Sequence, residues 1–501
     1  MTRLPILPAL LVALSLVAQD APKVAAATKL TLQDAIETSL KNNLQVQIAK
    51  EARTSTQAGV WIEEGAFDWN LSAGLNVSKI KDGLNPLQTG DPGFDSKTAF
   101  SRSLSVGTSK AFGWGGNLSL SYAPTYATVM DPRPGYSSTA TPYDGSFSAT
   151  YSQSLLQNFG RDVTESRLIV ARKSAQAADL TFQLTIINLV ASTESAYWDV
   201  VYAQKNLDNK QQALALSQQQ LKENQIRVQV GTLAPIEVTS SEASVAQAEQ
   251  DIIAAEAQLL NAKDALIRAL YPASDRPAGV EMLDAPSVQP LAFNEADTEK
   301  QAMANRLELK AARLDLESKQ VLEHAAANRT LPQLNAFATY NANAASQTAS
   351  DGLSAVNKDL FKGNYPGYTV GLQFSMPIQN RAAKGNQAQA RASLRSSELN
   401  LHDQELGITL EVRTAYRTLE ASGKGVAAAE KTRIFREKDL DAEKKKFDNG
   451  MSTNFLVLSK LNDLNTAKGN ELQAQITYAK SVTALEKAMG HLLEARKFEV
   501  K

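Results

Sequence analysis

The sequence predicts a mixed α and β membrane protein, in which strands for a transmembrane β-barrel are continued by long coiled-coil helices and the whole plan is written twice along one chain. Three observations lead there. Tracts at about 31–66, 156–270, 295–330 and 382–497 are rich in Ala, Gln, Leu, Glu and Lys, nearly free of proline, and helical by propensity. The stretches between them, about 67–155 and 332–379, are rich in Gly, Ser, Thr, Asn and aromatics and alternate with period two, as half-buried strands do. The order helix, strands, helix then occurs twice.

Taken in order, residues 1–27 read as a signal peptide. One basic residue precedes a proline-broken apolar run ending near Ala18, and Ala25-Ala26-Ala27 offers a cleavage site, so the chain is expected to be exported. A helical segment, 28–66, follows. In 67–155 four strands are expected, at about 69–79, 102–111, 117–125 and 145–154, with a tight turn at Phe112-Gly-Trp-Gly-Gly116 and polar loops at 82–98 and 127–143. From Trp69 to Ser78 every odd residue is apolar and every even one small or polar.

Residues 156–270 read as a helical hairpin with its tip at 230–235. Arg161 to Val230 is roughly 70 residues, a rod about 100 Å long at 1.5 Å per residue. Val200, Leu207, Leu214, Leu221 and Val228 keep a seven-residue spacing that predicts a packed seam, and Gln204, Gln211, Gln218 and Gln225 form a polar row beside it that suggests a water-facing side. Standing alone, the same segment fits an ordinary coiled-coil rod. Gly231 supplies the freedom to leave one helix and Pro235 suits the first turn of the next.

A linker, 271–299, carries Pro272, Pro277, Pro286 and Pro290. Then come a helix at 300–331, strands at 332–379 (about 333–342 and 368–377), and a second hairpin at 380–497 with its tip at 449–453, where Ser452 or Thr453 is a plausible N-cap. Ser39–Lys50 aligns with Ala302–Arg313, matching Asn42 to Asn305, Leu44 to Leu307 and Ala49 to Ala312; Gly231 aligns with Gly450. This is the signature of a tandem duplication.

Composition narrows function. A formal charge of −1 without a basic stripe disfavours nucleic acid, and the absence of cysteine excludes disulfides, thiolate metal sites and a cysteine nucleophile. His324, His402 and His491 are scattered in helical, charged surroundings and read as surface residues. Gly113-Trp-Gly-Gly116 lacks the Lys-Ser/Thr of a phosphate loop, and Lys444-Lys-Lys446 reads as a solvated helix face. No enzyme, cofactor or metal site is expected.

Trp69, Trp114, Tyr122, Tyr126, Tyr151, Tyr340, Tyr368 and Phe374 are candidates for membrane-interface girdles, or for ordinary strand packing. So few strands cannot close a large barrel, so several chains would have to share one.

From Leu30 to about Leu493 these features together resemble the TolC-like outer-membrane efflux family, through Leu32-Gln-Asp-Ala-Ile-Glu-Thr-Ser-Leu-Lys-Asn-Asn43, Phe374-Ser-Met-Pro-Ile-Gln-Asn380 and the paired tips at Gly231 and Gly450. The resemblance implies a homotrimer in the outer membrane of a Gram-negative-type cell: one shared β-barrel continued by a periplasmic α-helical tunnel, built from two tandem repeats. It implies that the hairpin tips, Val230, Gly231, Thr232 and Leu233 in one repeat and Gly450, Met451 and Ser452 in the other, meet a periplasmic adaptor protein that recruits an inner-membrane pump. Well-studied members close the mouth with aspartates six and nine residues after the second glycine; this chain has Leu456 and Ser459 there. Glu237, six residues after Gly231, is either a throat carboxylate selecting cations or a helix-start acid favoured by the macrodipole. Familiar members give four strands per protomer, whereas this chain gives four or six.

The expected function is a passive exit channel in the outer membrane, for a tripartite efflux pump or for type I secretion, in contact with outer-membrane lipid. The alternative is an exported coiled-coil protein that tethers or structures the outer membrane without conducting.

Overall fold

A computed structural model describes residues 28–83, 96–130, 143–271, 277, 279–286, 288, 293–346 and 350–498; the expected signal segment lies outside the described residues. In chain order the elements are β1 Thr28–Leu30, α1 Leu32–Asn42, α2 Leu44–Glu64, β2 Asn70–Gly83, β3 Ser96–Ala111, β4 Gly116–Met130 and β5 Tyr143–Ser154. Next come α3 Arg161–Thr164, α4 Ser166–Gln229, α5 Ile236–Leu270, β6 Val280–Met282, α6 Glu295–Asn305 and α7 Leu307–Asn328. The chain finishes with β7 Gln333–Ala345, α8 Leu353–Lys362, β8 Pro366–Ser375, α9 Arg381–Asp448, α10 Asn454–Ala488 and α11 Leu492–Ala495.

Six strands form one antiparallel sheet in the order β2-β3-β4-β5-β7-β8, leaving β2 and β8 as its edges. The Trp114 hairpin is therefore part of the sheet, which has six strands in the single chain. Strands β2, β3 and β4 also run a few residues into the segments expected to be loops, where Gly83 pairs with Ser96 and Thr98 with Met130. Of those loops, 84–95 and 131–142 lie outside the described residues.

The register gives the sheet two different faces, since directly paired residues point the same way. One face carries Leu71, Leu75 and Val77 of β2, Leu104 and Val106 of β3, Leu118, Leu120 and Tyr122 of β4, Phe147 of β5 and Val370 and Leu372 of β8. The other carries Ser72, Asn76, Ser103, Ser105, Ser119, Ser121, Ser148, Thr150, Thr339 and Asn341, with hydroxyl pairs such as Ser121–Ser148 at 2.8 Å and Thr150–Thr339 at 3.1 Å. In the single chain the apolar face of β2 is bare, with Leu71 and Leu75 each 74% exposed.

Helix α8, which the strand texture gave no reason to expect, lies on the apolar face. Val356 and Leu360 bury against Ala342 and Ala344, Phe361 packs near Tyr122 and Phe147, and Tyr122 Oη donates to Asn357 Oδ1 at 2.5 Å. Gly145 allows this approach: a Cβ there would lie 2.8 Å from Val356.

The long helices hang from one end of the sheet. At 1.5 Å per residue, the 64 residues of α4 and the 68 of α9 span about 100 Å each. The upper core joins Tyr197, Val200 and Val201 of α4 to Leu266 and Leu270 of α5, Leu472 and Ile476 of α10, and Leu30, Val280 and Met282 from the parallel pair β1–β6. The proline-bearing stretch after Tyr271 is thus pinned to the core, and Asp284 secures it by accepting bonds from Leu32 N at 2.7 Å and Tyr197 Oη at 2.9 Å. Burial raises the Tyr197 phenol, so it stays a donor there.

The helical row expected to form the seam is only half-buried below Val200. The fully buried row on lower α4 is Ala213, Ser217, Gln220 and Asn224, with Gln220 and Asn224 satisfied by Ser241 of α5 and Asn454 of α10. Gln211, Gln218 and Gln225 are exposed, whereas Gln204 is half-buried. His324 and His402 lie on the surface, but His491 is half-buried with Nε2 2.6 Å from Asn305 Nδ2. Among the described residues no helix is long and apolar enough to cross a membrane.

Candidate functional site

The tips of the two hairpins are built by the same backbone device. At the end of α4, Gly231 takes φ 78°, its N–H bonds Val228 O at 3.0 Å, and Thr232 N bonds Arg227 O at 2.9 Å. At the end of α9, Gly450 takes φ 74°, with Gly450 N on Phe447 O at 3.1 Å and Met451 N on Lys446 O at 2.8 Å. Both are Schellman turns, which satisfy the last helix carbonyls and need a residue at ease in the left-handed region. Nothing lies within 4 Å of where a Cβ would stand at either glycine, so conformation rather than space demands glycine.

The side chains that finish the turns differ. Pro235 precedes α5 without a side-chain cap, whereas Thr453 caps α10 by accepting from Leu456 N at 3.4 Å. Ser452 Oγ donates to Glu443, and that bond, helped by Lys446, holds the Glu443 carboxyl below its usual range. Arg227 pairs with Asp448 and lies 4.5 Å over the Phe447 ring, so the tips grip each other.

A buried polar knot behind the tips sets their register. Asn224 Nδ2 donates to Ser241 Oγ and Asn454 Oδ1, both at 2.7 Å, and Gln220 Nε2 reaches Asn224 Oδ1 at 3.2 Å. Asn454 Nδ2 donates to Glu237 Oε2 at 3.1 Å, tying α5 to α10. Asn224, Ser241 and Asn454 are essentially inaccessible. Glu237 is therefore half-buried and held by an amide of its own chain. Ser459 lines a groove of about 650 Å³ between α5 and α10, along with Phe455, and Leu456 is 41% exposed.

Val230 and Met451 protrude at the tips, 67% and 71% exposed, together with Gly231, Thr232 and Gly450, while Ser452 is half-buried. Leu233 is half-buried: it folds back onto the cluster of Leu440, Phe447, Val457, Leu461 and Leu464, which covers part of its side chain. Ile236 and Phe455, which sequence reasoning passed over, are exposed beside the tips. Their signal was a large apolar residue in the first turn of a helix, one or two places after the cap.

At the other end of the molecule all the candidate interface aromatics in strands share the apolar face of the sheet. Trp69, Trp114, Tyr151 and Phe374 gather at the helix-side end, where Trp114 Nε1 donates to Tyr151 Oη at 3.0 Å and Lys110 lies 5.4 Å over Trp69. Tyr126 is at the loop-side end, 4.9 Å from Tyr143. Tyr122 sits mid-sheet beneath α8, and Tyr340 packs against Tyr368 at 5.4 Å.

The sequence profile of the family described as "Outer membrane efflux protein" matches residues 118–270 and 299–491. The outer membrane protein TolC of Vibrio cholerae is 26% identical over 330 residues, covering 65% of this chain and 73% of that one. Among solved structures, the outer membrane protein VceC of Vibrio cholerae superposes with a TM-score of 0.65 at 15% identity, over 92% of this chain and 96% of that one. The open state of the Neisseria gonorrhoeae MtrE outer membrane channel gives a TM-score of 0.62 at 18% identity, over 92% and 89%.

Proposed function

The chain belongs to the outer membrane efflux protein family and is an outer-membrane exit channel with a periplasmic helical tunnel, and from that premise we propose that three copies build one continuous duct. The observation that carries this reading is the sheet itself. Its two edges, β2 and β8, are unpaired among the described residues, and one face is dominated by apolar side chains while the other is rich in hydroxyls. Open edges are tolerated when other copies complete them, and an apolar face belongs against lipid when the opposite face lines water. Three copies of the six-stranded sheet would make an eighteen-stranded barrel (three times six).

Exposed apolar residues along the helices, such as Leu399, Leu406 and Leu410 on α9 and Trp61 and Ile62 on α2, supply surfaces for the neighbouring copies in the tunnel wall. The duplication has local support as well. Asn43 (φ −67°, ψ 130°) and Arg306 (φ −57°, ψ 122°) break the paired helices α1/α2 and α6/α7 at positions that the internal alignment places opposite each other. The tips at Val230, Gly231 and Thr232 and at Gly450, Met451 and Ser452, flanked by Ile236 and Phe455, form the contact with a periplasmic adaptor. An inner-membrane pump supplies the energy, and the duct serves efflux or type I secretion passively. Glu237, steadied by Asn454, gives each copy one carboxylate near the mouth.

Purified protein in planar bilayers tests the duct. Discrete conductance steps are expected, with a cation preference that weakens in Glu237→Gln. Stable oligomers that never conduct at any voltage, with or without adaptor, would replace the duct by a non-conducting tether.

A further inference from the structure

The apolar face of the sheet ends in a concentration of positive charge. Between the level of Trp69 and Lys110 and that of Lys79 and Phe100, the paired positions on this face of β2, β3, β4 and β5 carry no charged residue until Arg102. Ten residues separate Trp69 from Lys79, about 34 Å along a strand, or about 25 Å of height at the tilt usual for barrel strands. That matches the apolar thickness of an outer-membrane barrel. At its loop-side limit Lys79, Lys81 and Arg102 project from the same face, as the pairs Val77–Arg102, Lys79–Phe100 and Lys81–Thr98 require.

Lys79 and Arg102 line an open groove of about 780 Å³ whose other walls are Phe100, Tyr126, Met130 and Tyr143. The Arg102 guanidinium lies 4.9 Å over Phe100, and all three cations are exposed. None of them takes part in an ion pair with another described residue, and the nearby carboxylates Asp82 and Asp144 belong to the opposite, hydroxyl-rich face. On α8, the element packed alongside, Asp359 accepts from Asn364 at 3.2 Å.

We propose that Lys79, Lys81 and Arg102 form a binding site for phosphate-bearing lipid headgroups of the outer leaflet, with Phe100, Tyr126 and Tyr143 seating the interfacial part of the lipid. This rests on the reading of the sheet as a lipid-exposed barrel wall. The occupant is lipid rather than a dissolved anion because the cations share their face with the apolar band and not with the water-lined one. Aromatic rings and cations at one depth are what a headgroup layer favours, and the long stems of the cations let their charged heads reach past the apolar band. At the helix-side limit Lys110 stands over Trp69 without a second cation in the strand register beside it, which makes it the natural control.

Native mass spectrometry of the full-length oligomer tests the site, with bis-phosphorylated lipid A, its dephosphorylated form and phosphatidylcholine added in competition. The wild type is expected to prefer the phosphorylated lipid. At about fivefold per cation, the combined Lys79→Gln, Lys81→Gln and Arg102→Gln variant loses roughly a hundredfold of that preference. Lys110→Gln keeps it, and Arg102→Lys, which retains the charge, keeps most of it. If the combined variant does not assemble, Arg102→Gln alone must lose about fivefold. A wild type indifferent to phosphate, or a neutralised variant that binds as the wild type does, overturns the proposal. Conductance recorded on the same preparations judges the duct separately, since neutralising an outward-facing patch leaves the lumen unchanged.

Discussion

The two hairpin tips share a backbone and differ in almost every side chain that supports it. Both α4 and α9 end in the same pair of turn bonds around a left-handed glycine, but the first tip then enters α5 through Pro235, and the second enters α10 through a Thr453 cap and a Ser452–Glu443 bond. The difference teaches that the shape of the tip is set by Gly231 and Gly450, while the stiffness of each tip is set by local polar chemistry. Both tips are then fastened by one shared element, the knot around Asn454.

That division predicts a ranking of effects. Asn454→Ala strikes both tips at once, because it takes one of two acceptors from each of the buried amides of Asn224 and Gln220; with Ser241 and Asn224 left as their other partners, a loss of about 1–3 kcal/mol is expected. Thermal unfolding of the oligomer measures it, and an unchanged midpoint would mean that the knot does not couple the hairpins. Gly231→Val costs about 1–2 kcal/mol through the left-handed backbone and is expected to abolish export while oligomers still assemble. Gly231→Asn, which tolerates that conformation, restores export, since open space surrounds the position. Failure of Asn to rescue would show that the bare backbone itself is the contact surface.

Smaller effects separate the tips. Thr453→Ala removes a cap worth about 1 kcal/mol and loosens only the second tip in hydrogen exchange, whereas Pro235→Ala removes no side-chain cap and costs only the roughly 0.4–1 kcal/mol by which proline restricts the unfolded chain. Acid discriminates more gently. The Glu443 carboxyl is lowered, so the stability it lends the second tip is present above the ordinary value of 4.5 and fades as pH falls below it. Protection factors in the second tip, corrected for the slower intrinsic exchange in acid, should fall over that range, and Ser452→Ala, lacking the hydroxyl that lowers the carboxyl, should flatten the response.

How much of this was legible in the sequence depends on whether a pattern answers to one partner or to several. The alternation in β2 answers to a single surface, and so period alone revealed a strand there; the length of α4 was legible from a long proline-free run of helix formers, but its buried face was not, because α4 packs against α2, α5, α7 and α10 at once. The glycines of the tips were legible because the left-handed turn admits few other residues. The inward turn of Leu233 was not, since it depends on a pocket made by α9 and α10, hundreds of residues away. Nor was the buried row at Ala213, Ser217, Gln220 and Asn224, which looks polar until Ser241 and Asn454 arrive to satisfy it. Helix α8 escaped notice because its ten residues sit within strand texture and bury only Val356 and Leu360. The strand count was undecidable from composition, because the Trp114 hairpin alternates whether it joins the wall or stands outside it. Pairing with β2 and β5 places the hairpin within the six-stranded sheet.

The central claim is that one chain supplies a third of a closed duct, and electron cryo-microscopy of the purified, detergent-extracted protein tests it most directly. The account predicts three copies around one axis, β2 of each paired to β8 of the next in a barrel of eighteen strands (three times six), with Ser121, Ser148 and Thr339 facing the lumen. A barrel that excludes the Trp114 hairpin, or a sheet whose edges stay unpaired between copies, would contradict it.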